Sequence, residues 1–139
     1  MSLRMIRTGL LIDGHGGKPR QNVTIHLGEG RITAIEEGHR DSQGLDARNM
    51  TVLPGLIDTH VHLHMDPLLP WTTGHQDREE ILILKAASFM QEALATGVTT
   101  MRDCGNTGVV PFILRDAIER SIIPGPRLLI SGPPITTTA

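Results

Sequence analysis

The chain has 139 residues, a formal net charge of −2 and 20% charged residues, a balance that excludes a basic field for nucleic acid and an acidic tail. Its one cysteine, Cys104, excludes an internal disulfide and a cysteine-based zinc site. No apolar run approaches the roughly 18–20 residues of a membrane span, and Met1-Ser2-Leu3-Arg4 lacks a signal-peptide core, so a soluble, cytoplasmic protein is expected.

Residues 1–53 read as one unit of short strands joined by turns. Val23, Ile25 and Leu27 alternate with polar neighbours, and Gly28-Glu29-Gly30 is a hairpin turn leading to Ile32 and Ile35. Gly14-His15-Gly16-Gly17 is a second turn. His15, His26 and His39 fall in this part and are expected on the surface rather than at a metal.

A second unit, 54–139, opens on Pro54-Gly55-Leu56-Ile57-Asp58-Thr59-His60-Val61-His62. Val52, Leu53, Leu56 and Ile57 form an apolar run broken by Pro54-Gly55, the pattern of a buried strand with a bend where it begins. Side chains alternate along a strand, so His60 and His62 share a face about 6.5 Å apart. Two imidazoles at that spacing can converge on one divalent ion, each nitrogen at about 2.0–2.1 Å. A bare His-x-His pair is a weak signal. Asp58 lies on the same face, as does His64 if the strand continues. A carboxylate and two or three imidazoles on a buried face are costly unless paired or bound to metal. Asp58 either orients a histidine or satisfies nearby backbone.

The segment from Leu63 to Gln76 is long for a loop and carries His64, Asp66, Trp71 and His75, so it could cap a site. His64 is a candidate substrate contact. Trp71 suits packing as well as substrate. Asp77 with Glu80 predicts a capping box, and Leu82, Ala86, Phe89 and Ala93 recur at helical spacing until Gly97. A strand is predicted over 98–103, and Arg102 and Asp103 at its end read as an ion pair. Cys104 reads as a small buried side chain. A second helix starts near Pro111 and runs through Leu114, Ala117 and Ile118 until Pro124-Gly125-Pro126. A strand over 127–131 follows. Strands alternating with helices predict parallel pairing.

Pro54 to His62 closely resembles the first metal-binding strand of the amidohydrolase superfamily. Thr96-Gly97-Val98-Thr99-Thr100-Met101-Arg102-Asp103 resembles that family's second barrel strand, and Gly125-Pro126-Arg127-Leu128-Leu129-Ile130-Ser131-Gly132 its third. The stretch from Gly9 to Ile32 resembles the small β-domain ahead of the barrel. Within the superfamily the chain looks closest to the imidazolonepropionase-like branch, which includes Xaa-Pro dipeptidases.

The resemblance implies an α/β fold: an incomplete (β/α)8 TIM-like barrel, its first three strands, preceded by part of a small β-sandwich domain. It implies His60 and His62 as ligands of a divalent metal, zinc by preference, with one or two ions in the intact enzyme. Asp58, on the histidines' face, would support them; His64, which the family's metal motif does not require, would face substrate. The implied reaction is hydrolysis of an amide or peptide C–N bond of a small molecule or dipeptide by metal-activated water. The family's other ligands, a carboxylated lysine or glutamate and two histidines, and its aspartate base lie on later strands. A whole barrel takes about 250 residues, so the rest of the barrel chain would be required and this piece alone would be inactive. Association with further copies of itself is compatible with the resemblance. The alternatives are a mononuclear deaminase or carbamate hydrolase on the same fold, and a non-catalytic metal-binding or assembly fragment.

Overall fold

The computed structural model describes residues 4–39, 44–65, 77–106, 108–135 and 137. The chain divides into two compact units, Met1–Pro54 and Gly55–Ala139.

The first unit is one four-stranded sheet. Its strands are β1 (Met5–Leu11), β2 (Arg20–Gly28), β3 (Arg31–Glu37) and β4 (Leu45–Val52), in the order β3-β2-β1-β4. β2 pairs antiparallel with β1 and β3, while β4 runs parallel to β1. The β2–β3 hairpin turns at Glu29-Gly30, inside the predicted turn. Val23, Ile25 and Leu11 are buried, with Ile6, Leu27, Ile35 and Val52 packed against them. This is the face that alternation along β2 predicts.

Thr8 and Thr24 are buried polar residues, and both hydroxyls find carbonyls. Thr24 donates to Gly38 O at 2.8 Å. Thr8 lies 2.8 Å from Leu10 O and 2.9 Å from Met50 O, where the β1–β4 register shifts. On β4, Arg48 grips Asp46 with two hydrogen bonds, Nε to Oδ1 at 2.9 Å and Nη2 to Oδ2 at 2.7 Å. That grip holds the Asp46 carboxyl well below the usual carboxylate range. His15 is exposed, as expected. His26 is half-buried instead and lies 3.4 Å from Glu36 across the β2–β3 pair.

The second unit alternates strand and helix: β5 (Leu56–Val61), α1 (Glu79–Ala95), β6 (Val98–Asp103), α2 (Val110–Glu119) and β7 (Arg127–Ile130). Its sheet, β5-β6-β7, is wholly parallel. Leu82, Ala86 and Met90 form the buried stripe of α1, each one turn on from the last. They pack with Leu63, Met101, Val110, Leu114 and Leu128 into one core. Among the described residues no helix is long and apolar enough to cross a membrane.

Gly55 enters β5 against β6 so closely that a Cβ there would fall on the Thr99 side chain. Only glycine lets the two chains approach to this degree.

Four local expectations are corrected. Asp77 does not cap α1. The cap position is Arg78, without a side-chain bond, and Asp77 lies too early to reach the first free amides. It pairs instead with Lys85 Nζ at 2.7 Å. The stripe of α1 passes through Met90 rather than Phe89, while Ala93 packs against the same core as expected. Helix α2 stops at Glu119, ahead of Pro124. Ser121 takes φ +57, and Ser121 and Ile122 donate to Ile118 O and Ala117 O at 2.9 and 2.8 Å. This is a Schellman end built on serine. Lastly, β5 is not buried: Leu56 and Ile57 are 51% and 65% exposed, because no element among the described residues covers them.

Candidate metal centre

β5 delivers His60 on its last turn of the pleat and His62 one residue past its end. The two imidazole centroids lie 5.3 Å apart, edge to face at 69°. His60 is exposed and His62 half-buried.

His62 is latched to the neighbouring strand. Its Nδ1 lies 2.8 Å from the carbonyl oxygen of Gly105. A carbonyl can only accept, so Nδ1 carries the proton and donates. The lone pair of the neutral ring is then on Nε2, free for a cation. Gly105 reaches this position with φ +150, a backbone conformation that favours glycine. Its loop is tied down as well, since Asn106 N–H donates to Gly132 O at 3.2 Å.

Asp58 accepts the backbone N–H of His60 at 3.1 Å through Oδ1. It therefore braces the strand carrying His60 through the main chain. His64 is 7% exposed and its ring centroid stands 6.2 Å from that of His62. Leu63 and His64 lie in a tight turn, closed by Met65 N–H to His62 O at 3.0 Å.

The predicted Arg102–Asp103 pair is not formed. The two side chains leave opposite faces of β6. Arg102 donates through Nε to Thr59 O at 2.7 Å, while Asp103 accepts from Leu63 N–H at 3.1 Å. Cys104 is half-exposed rather than buried, with Sγ 3.6 Å from Thr59 O. Asp66, Trp71 and His75 lie outside the described residues.

The structure thus brings His60 and His62 together, with the His64 ring beside His62 and Asp103 bonded to the amide of Leu63. Sequence reasoning did not find Gly105 or the Asp103–Leu63 bond. The one signal for them was a polar cluster, Arg102 to Asn106, at the C-terminal end of a strand beside the histidine strand. Among the described residues, no group of three or more His, Cys, Asp and Glu side chains is arranged to hold an ion. The donor set suits a borderline metal such as zinc, but two imidazoles are fewer than the three protein ligands usual at a catalytic zinc.

The chain belongs to the amidohydrolase family, whose statistical profile matches residues 51–138. Members of that family are hydrolases acting on C–N bonds that generally use divalent metal ions. Among curated proteins it is similar to a dihydroorotase of Caldanaerobacter subterraneus subsp. tengcongensis, 30% identical over 105 residues, covering 74% of this chain and 21% of the relative. It is likewise similar to the enamidase of Eubacterium barkeri, 35% identical over 113 residues, covering 76% of this chain and 26% of the relative. Among solved structures it resembles a Xaa-Pro dipeptidase with methionine bound in the active site. The TM-score is 0.84 and the identity 31%, over 94% of this chain and 33% of that one. The chain therefore spans about a fifth to a quarter of these curated relatives.

Proposed function

We propose that this chain is the N-terminal part of a metal-dependent amidohydrolase that cleaves an amide or peptide C–N bond. The observation that carries the reading is the pair His60 and His62 at a strand end, with His62 held so that Nε2 is free. In this reading β5, β6 and β7 are the first three strands of a (β/α)8 barrel, and the four-stranded sheet is part of a small β-domain. The C-terminal ends of barrel strands are where active sites lie, and both histidines sit at such an end.

His60 and His62 would hold a divalent ion, zinc by preference, and the remaining ligands and the base would come from later strands. Such an ion supplies Lewis acidity, which acidifies water and polarises a carbonyl. The chain's own residues do the holding. Gly105 fixes the tautomer and rotation of His62, and Asp58 braces the main chain at His60. His64 stands one turn beyond His62 and is our candidate substrate contact. A dipeptide is the substrate class we favour, on the likeness to the Xaa-Pro dipeptidase structure.

The test is metal analysis by mass spectrometry together with a dipeptide hydrolysis assay on the intact protein. Bound divalent metal and turnover, both lost on replacing His60 and His62 with alanine, are expected. Full metal occupancy and near-normal kcat in that double variant would overturn the assignment.

A further inference from the structure

Asp103 closes β6 with a carboxylate that is 1% exposed. Burying a carboxylate is expensive, and the cost is usually offset by a cation or by several donors. Here Oδ1 accepts from Leu63 N–H at 3.1 Å and lies 3.5 Å from Asn106 Nδ2. Oδ2 has no hydrogen-bond partner among the described residues. Among the described residues no ion pair to Asp103 accounts for it either. What the carboxylate does in this fold is accept one particular backbone amide.

That amide stands at a telling place. β5 has ended at Val61, and the ladder is extended once more by Cys104 N–H to Val61 O at 2.9 Å. Leu63 N–H is past the ladder and buried, and its acceptor among the described residues is Asp103. Leu63 directly follows His62 in the chain. The end of β6 therefore grips His62 at two points. Gly105 takes the ring at Nδ1, and Asp103 takes the amide of the next residue. The first bond sets the ring's rotation. The second sets where the main chain leaves the strand, and hence where the ring is carried. Ser131 N–H donates to Asp103 O at 3.2 Å, which anchors the grip to β7.

We propose that Asp103 is a positioning residue for the metal site: through the Leu63 amide it holds His62 in the place where Nε2 and the His60 ring can share one ion. The proposal rests on the reading of His60 and His62 as ligands. Its role is to accept that one hydrogen bond, which an amide oxygen can do in its place.

The test uses the intact protein loaded with Co(II), read by its visible ligand-field bands and by chelator competition for Co(II) affinity. Asp103→Ala is expected to weaken Co(II) binding by about 10- to 100-fold, the range typical for removing a residue that orients a ligand, and to shift the bands. Asp103→Asn is expected to restore affinity to within a few-fold of the parent and to restore its bands. A residue that merely stabilised the loop would lower the melting temperature and leave the bands alone. If Asp103→Ala does not fold, Asp103→Glu, which displaces the acceptor by one methylene, is read for the same weakened affinity and shifted bands. Parent-like affinity and bands in these variants, with binding lost in His62→Ala, would overturn the positioning role and leave the metal site standing. Full Co(II) binding in His62→Ala would overturn the metal site itself, and this proposal with it.

Discussion

The imidazole Nδ1 of His62 and the carbonyl oxygen of Gly105 are 2.8 Å apart, though 43 residues separate them in the chain. The bond decides which ring nitrogen is available. It depends on a backbone with φ +150, which a residue bearing a Cβ adopts only under strain. A Cβ there would make only ordinary contacts, the nearest 3.4 Å from Pro134 Cβ. Gly105→Ala in the intact protein should therefore act through the backbone, destabilising it by about 1–3 kcal/mol and weakening the hold on His62. Denaturant unfolding and bound-metal content check this. A parent-like stability would show that the loop adopts another path without cost.

His60→Ala and His62→Ala should each lower bound metal and reduce kcat severely, while the fold persists, because both side chains stand at a strand end outside the packed core. His64→Asn should leave metal content near that of the parent. Metal analysis beside the hydrolysis assay distinguishes these outcomes. Loss of activity only in His64→Asn, with metal retained, would move the chemistry to the turn after β5.

The isolated 139-residue chain should not behave as a stable monomer. Leu56, Ile57 and Leu129 are 51%, 65% and 53% exposed on or beside open parallel edges. Exposed apolar strands with unpaired backbone recruit partners. Size-exclusion chromatography with light scattering should show association or aggregation. The same chain should bind zinc weakly, since two imidazoles make an incomplete site. A monodisperse monomer with a cooperative melt would refute the first expectation, and stoichiometric zinc kept through dialysis the second.

The Arg48 hydrogen bonds hold the Asp46 carboxyl below its ordinary value of 3.8. A carboxyl depressed in the folded state stabilises it above the unfolded pKa, and that contribution disappears as pH falls through the folded value. Asp46→Asn should thus cost the intact protein a small, constant amount of melting temperature above pH 5 or so. The difference should shrink as pH drops below 3.8. The pair is exposed, so 1 M salt should also shrink it. Melts from pH 7 downward, at low and high salt, check this. A difference that does not change with pH would remove the carboxylate from the explanation.

Much of the second unit was legible because its punctuation is local. Gly97 and the β-branched run behind it bound β6 at the predicted 98–103, and Pro111 lies in the first turn of α2 as expected. The end of α2 was not legible, because Ser121 takes the left-handed position where glycine is the usual signal. Period-two spacing placed His60 and His62 at a strand end. It could not show the latch on His62 or the Asp103 grip, because their partners are a backbone carbonyl and a backbone amide about forty residues away. The burial expected for Leu56 and Ile57 failed for a related reason: a sequence shows that a strand is apolar, not what covers it.

The close passage of Gly55 over Thr99 ties two positions into one inherited trait. A lineage that gains a side chain at 55 must give up volume at 99, so Gly55→Ala is tolerated only beside a change such as Thr99→Gly. Either change alone meets a clash or leaves a gap between β5 and β6. The two positions are therefore coupled, and a side chain at 55 alone would push β5, the strand bearing His60, away from β6.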